Sequence, residues 1–293
     1  HDITLYGPAD STIIEFAGEI AAKLGLKTRK NSSADTIEIY NTDEKIGRIQ
    51  LRTSGRSAIG YRDPNADLYE QELVDLLIED DRQQPYDIVH SHAKKLTDSL
   101  LTGMLDNHKI LTHCHEHKLI YKTYKYPVIC ISHRQAAVFR QQGIFVYDVM
   151  HNGLDPFTHH YVEEHADYLV WVGRFTEVKG PLQAIKIAKK ARKILILAGP
   201  THSYRAPSLF FFNTTIKPLI DVEDRELLNR MGSLSVTEIK QELATICKYT
   251  ESPIIFVGVV NDLEKQILYG RAEATLFPIK WHEPFGRVMI ESM

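Results

Sequence analysis

Tyr168-Leu169-Val170-Trp171-Val172 is followed by Gly173-Arg174-Phe175-Thr176-Glu177-Val178-Lys179-Gly180, then by 181–192 (PLQAIKIAKKAR) and 193–198 (KILILA). The first five residues form an unbroken apolar run, as expected of a strand covered on both faces. The residues 181–192 space their apolar positions for a helix, and 193–198 is a second apolar strand. A strand, a helix and a strand in close succession predict a parallel pair joined by a crossover, the unit of an α/β fold.

The same rhythm extends outward. Downstream, Pro253 to Val257 reads as a strand, 261–271 as a helix and Ala274 to Phe277 as a strand. Upstream, 67–82 is an amphipathic helix, Asp87 to His90 a strand, 95–106 a helix, and Lys109 to Cys114 and Tyr126 to Ile131 strands. Ser132 is placed to cap a helix over 133–142 that stops at Gly143, and Val146 to Met150 is another strand. Near the start, Asp2 to Tyr6 is a strand and 12–24 a helix. The polar segment 25–65 offers only weak strands and loops. Residues 200–253 hold a helix over 235–248 and Phe210-Phe211-Phe212, which are expected in the core because aromatics more often pack than recognise. The fold class is therefore α/β, with two Rossmann-like domains: 1–155, a polar connector over 156–166, and 167–293, with an insertion at about 200–250.

Composition narrows the function. Of 293 residues, 43% are hydrophobic and 25% charged, which is ordinary for a folded domain. The net charge of −3 gives no global case for nucleic acid. Cys114, Cys130 and Cys247 are odd in number and form no CxxC pair, which argues against a disulfide framework and for a reducing cytoplasm. No apolar run is long enough to span a membrane. Peripheral contact with one stays open.

Chemistry concentrates in two segments. In Trp281-His282-Glu283-Pro284-Phe285-Gly286-Arg287-Val288-Met289-Ile290-Glu291 a helix is expected to start near Phe285, with Glu283 in the preceding loop and Glu291 inside the helix. Free N–H groups of a first helical turn attract anions, and carboxylates accept hydrogen bonds from sugar hydroxyls. An acidic helix start with a solvated glutamate reads equally well from spacing alone. In 172–180, Arg174 and Lys179 bring two cations to a strand's carboxyl end, where ligands of open α/β sheets bind. A solvated basic loop is the alternative. Together, two cations and a helix N-terminus would suit a diphosphate leaving group. His113, His115 and His117 share one face of an extended chain, with His90 and His92 at the end of a neighbouring strand. Imidazoles are common zinc ligands, but no carboxylate or thiolate at ligand spacing completes a set, so no metal site is expected.

GRFTEVKG and the E-x7-E segment HEPFGRVMIE, roughly 105 residues apart, resemble glycosyltransferase family 4. Asp87 to His92, Cys130 to Gln135, His151 to Asp155, and Val257-Gly258 with Glu264-Lys265 resemble other landmarks of that family. The resemblance implies the GT-B plan, two Rossmann-like domains facing across a cleft, and transfer of a hexose with retention from a nucleoside-diphosphate sugar, UDP by family frequency, to an acceptor hydroxyl in carbohydrate biosynthesis. It implies that Arg174 and Lys179 bind the diphosphate and that Glu283 contacts the sugar and Glu291 the ribose. The amides of Phe285, Gly286, Arg287 and Val288 would meet sugar and phosphate, and Val257 and Gly258 would border the base. His115, or else His113, would lie beside the reacting carbon. No metal or other cofactor is implied, and no Asp-x-Asp triplet occurs. An opening strand with a glycine-rich loop and the segments after Glu291 have no counterpart here, so the chain is expected to be incomplete at both ends and to turn over little. The alternatives are a non-catalytic nucleotide-sugar-binding fragment, or an epimerase or phosphorylase of the same architecture. A dinucleotide oxidoreductase is disfavoured, since no GxGxxG follows a strand.

Overall fold

The computed structural model describes residues 2–7, 22, 26–30, 36–41, 44–53, 66–92, 110–115, 127–154, 161–201, 206–248 and 250–293. The expected helices at 12–24 and 95–106, His117, and residues 156–160 of the expected connector lie outside these, apart from residue 22, which is helical. The fold is mixed α/β. It divides into two compact units: His1–Cys114 with Thr123–Ile129 and Ile144–Tyr147, and His115–Lys122 with Cys130–Gly143 and Asp148–Met293.

In the first unit, β1 (Asp2–Gly7), β2 (Lys27–Lys30), β3 (Thr36–Asn41) and β4 (Glu44–Thr53) form a sheet in the order β1-β4-β3-β2. β4 runs parallel to β1 and antiparallel to β3, and β3 is antiparallel to β2. Within 25–65 the described residues 27–30, 36–41 and 44–53 are thus more regular than their polar sequence suggests. Alternation in Thr36-Ile37-Glu38-Ile39-Tyr40 supplies the period of two that a strand needs, and pairing supplies the rest. Helix α1 (Ala66–Gln83) follows, burying Val74, Leu77 and Ile78 at helical spacing.

A further sheet has the order β5 (Val89–Ser91), β6 (Ile110–Cys114), β7 (Val128–Cys130), β8 (Val146–Val149), with β5 and β6 parallel. Helix α2 (His133–Gln141) starts where expected, because the Ser132 hydroxyl accepts from the Gln135 amide at 3.1 Å. It ends before Gly143, whose φ of +78° reverses the chain.

The second unit is built on five parallel strands in the order β11-β12-β10-β9-β13. These are β9 (Tyr168–Val172), β10 (Ile194–Ala198), β11 (Val222–Glu223), β12 (Ile254–Gly258) and β13 (Ala274–Thr275). Alternate residues serve opposite faces. Leu169, Trp171, Leu195, Leu197, Ile254 and Phe256 pack with Ala184, Ile185 and Ala188 of α3 (Pro181–Ala191). Tyr168, Val170, Ile196, Ala198, Ile255 and Val257 pack with residues of α5 (Leu227–Gly232), α6 (Val236–Cys247) and α7 (Asp262–Arg271). Burial on both faces explains why these strands read as continuous apolar runs.

Residues 206–219 run through α4 (Ala206–Phe211), a π turn over Phe212–Ile216 and a 3-10 turn over Lys217–Leu219. The expectation that Phe210, Phe211 and Phe212 all enter the core is corrected. Phe212 is buried, edge-on to Phe175 at 4.9 Å, whereas Phe210 is 71% exposed. Successive helical residues point about 100° apart, so three in a row cannot face one sheet.

Candidate functional site

The carboxyl ends of β9, β10 and β12 are capped by Gly173, Gly199 and Gly258. Their loops are stitched by backbone bonds, Gly173 N–H to Ala198 O at 3.0 Å and Gly199 N–H to Gly258 O at 2.7 Å. Gly199 has φ +137°, and a Cβ there would stand 1.9 Å from Gly173 O. At these three adjacent strand ends the absent Cβ atoms let the protein pack on itself, the Trp171 ring against Gly173 and the Gly173 carbonyl against Gly199, and the loops come close together.

Beside this floor, the chain leaves β9 for α3 on one face of the sheet. It leaves β13 for α8 (Arg287–Ser292), whose Val288 packs on the opposite face. Neighbouring strands whose connections diverge open a crevice at their carboxyl ends, the usual ligand position in such sheets. Two loops meet at this place, 173–180 and 276–286. They run side by side, Lys280 N–H donating to Val178 O at 2.8 Å. A Cβ at Gly180 would lie 2.0 Å from Pro278 O, so the approach requires glycine there.

Across this contact Lys179 Nζ donates to Glu283 Oε2 at 2.6 Å, with both side chains mostly buried. Trp281 Nε1 donates to the same oxygen at 2.9 Å, and its ring lies 5.2 Å from the ammonium. Trp171 Nε1 donates to the Lys179 carbonyl at 3.2 Å, anchoring the lysine's backbone. Arg174 is exposed on the same loop.

Glu291 makes a second charged centre. Its side chain is 6% exposed and takes Lys265 at 3.3 Å and Arg287 at 3.1 Å. Lys265 is also held by Asp262 at 2.6 Å. Burial pushes the nearby Tyr269 phenol up, and the Glu291 carboxylate adds to the shift. Gly286, at φ +86°, turns the chain between the two acids; a Cβ there would stand 3.6 Å from Glu283 Cγ. Helix α8 therefore starts at Arg287 and not near Phe285, because Gly286 adopts a left-handed conformation that a helix cannot continue through.

The sequence candidates thus fall into separate groups. Lys179 and Glu283 meet; Glu291 meets Arg287; Phe285, Gly286 and Val288 flank the turn; Val257 and Gly258 end β12. Arg174 stays on the rim. In addition, the His151 imidazole Nδ1 lies 3.0 Å from Ile131 O, and its ring is 5.7 Å from that of Phe285. His113 lies in β6, 9% exposed, with its ring beside His90 and His92. His115 follows β6, and partial burial lowers its pKa, favouring the neutral ring. Lys265 belongs to a segment the sequence marks, but its pairing with Glu291 is not readable there, and neither Trp281 nor Trp171 stands out as a site residue from sequence. A tryptophan two residues before Glu283 was the available signal, since an indole N–H in a partly buried place needs an acceptor.

No family model matches the chain, and no curated protein matches it significantly. Among solved structures, AviGT4, a glycosyltransferase involved in avilamycin A biosynthesis, is 17% identical with a TM-score of 0.48, over 83% of this chain and 62% of its own. A glycosyltransferase from Rickettsia africae is 16% identical with a TM-score of 0.48, over 100% of this chain and 76% of its own. The chain therefore spans less than two thirds of the avilamycin protein's length. Among the described residues no helix is long and apolar enough to cross a membrane.

Proposed function

We propose that the second unit binds a nucleoside-diphosphate sugar and that the parent protein is a retaining glycosyltransferase of the family 4 type, passing a hexose to an acceptor hydroxyl. The observation that carries this is the meeting of Lys179 and Glu283 from segments 104 residues apart, beside the carboxyl end of β9. A cation and a carboxylate brought together beside strand ends suit a ligand with a phosphate at one end and hydroxyls at the other.

In this reading Lys179 and Arg174 meet the diphosphate, whose charge grows as the glycosidic bond breaks, and electrostatic stabilisation there lowers the barrier. Glu283 accepts from sugar hydroxyls, with Trp281 fixing its orientation. Glu291, oriented by Lys265 and Arg287, accepts from the ribose. Val257 and Gly258 border the base, uridine in our reading, and the amides of Phe285 to Val288 face sugar and phosphate. His115, held neutral, or His113 serves the reacting carbon. With cations and amides on the diphosphate, no metal or other cofactor is needed there. The acceptor is a small molecule or a glycan, and the place of action is the cytoplasm.

The test is calorimetry with UDP-glucose and GDP-mannose on this chain and on an Arg174→Ala/Glu291→Ala variant. Binding of one donor, abolished in the variant, is expected. A donor bound equally well by both proteins would refute the site. Donor binding without turnover on any acceptor, in a longer chain as well, would favour a non-catalytic binding module.

A further inference from the structure

From the three imidazoles at the end of β5 and β6, we infer a binding site for a divalent transition-metal ion of the zinc class, formed by His90, His92 and His113. It lies in the first unit and does not rest on the sugar-transfer reading; of its residues that reading uses only His113, and with a metal there His115 alone would serve the reacting carbon.

The backbone creates the cluster. His90 and His92 are two residues apart, so they share one face of an extended chain. β5 and β6 are parallel with Ser91 beside Thr112, so the next pair along is His92 and His113. The ring centroids are 4.6 Å apart for His90 and His92, 4.8 Å for His92 and His113, and 5.4 Å for His90 and His113. One ring nitrogen from each can be chosen so that all three lie within 4.8 Å of one another.

A zinc ion at about 2.0–2.1 Å from each imidazole nitrogen holds neighbouring ligands roughly 3.4 Å apart in tetrahedral geometry. Side-chain rotation closes that gap, and His90 and His92 are exposed enough to make it. Three neutral nitrogens select a borderline ion such as zinc, cobalt or nickel, while calcium and magnesium prefer oxygen. Three protein ligands leave a coordination position for water or a ligand atom, as open zinc sites do. The site also stands at the carboxyl ends of two parallel strands, the edge where open α/β sheets take ligands.

By sequence spacing alone no carboxylate or thiolate completes a set. Three histidines suffice, and only strand pairing shows that they converge.

The experiment is titration of the chelator-stripped protein with cobalt(II), followed by its visible d–d bands, and with zinc, followed by calorimetry. His90→Ala, His92→Ala and, as a control, His165→Ala are measured alongside. One equivalent is expected to bind to the unsubstituted chain and to the control. Each of the two site variants should weaken binding by about a hundredfold or more, since losing an outer partner alone costs ten- to hundredfold. Circular dichroism of the metal-free variants checks that they fold, and zinc should raise the unfolding temperature of the unsubstituted chain but not theirs. No binding, or binding that survives both site substitutions or is lost with His165→Ala, would overturn the assignment.

Discussion

Cys130 shows how a single residue's surroundings set its chemistry. It is fully buried in β7, and burial raises its thiol to about 11, with Arg140 partly opposing the shift. In the unfolded chain the thiol ionises near its ordinary 9.0. Between those values the folded protein holds a proton that the unfolded chain releases, so folding stability falls as pH rises from about 9 to about 11. Urea unfolding of the unsubstituted chain and of Cys130→Ala across that range checks it. The variant should show the shallower loss at high pH. A buried, protonated thiol is also a poor nucleophile, so the cysteine in CISHRQ acts in packing. The same scale separates the two glutamates. The sequence places both correctly on either side of Gly286, but nothing in it distinguishes a solvated Glu291 from the observed one, closed off by Lys265 and Arg287.

At the scale of elements, glycines decide where the loops can pass. Gly199→Ala combines a φ of +137° with a Cβ 1.9 Å from a carbonyl oxygen. Neither backbone can yield without breaking the stitch between β9, β10 and β12, so a loss of about 3 kcal/mol or more is expected. Gly143→Ala has φ +78° but nothing within 4 Å, and should cost only about 1 kcal/mol. Urea denaturation of the two variants gives the comparison. Equal losses would mean that crowding at Gly199 is not what matters. Element type and extent were largely legible here. β9, α3 and β10 follow the apolar pattern of 168–198 to within a residue or so, and Ser132 caps α2 as its position suggests. The start of α8 was not legible, because Phe285 and Arg287 are both compatible with a first helical turn. Only the left-handed Gly286 chooses between them.

For the molecule as a whole, ligand linkage is the test. A donor bound only by the folded second unit adds about 2.7 kcal/mol at a hundredfold excess over its dissociation constant, and the unfolding transition of that unit should rise by several degrees. A shift seen equally with Arg174→Ala/Glu291→Ala would place binding elsewhere. The sequence by itself determined the α/β class, the strands buried on both faces, and the residue types able to meet phosphate and sugar. These follow from local periodicity and from chemistry each side chain carries anywhere. Only the tertiary structure decided that Lys179 grips Glu283, that Phe212 and not Phe210 enters the core, and that His90, His92 and His113 converge. Such facts depend on strand order, register and connection geometry, which bring together residues that no short-range pattern relates.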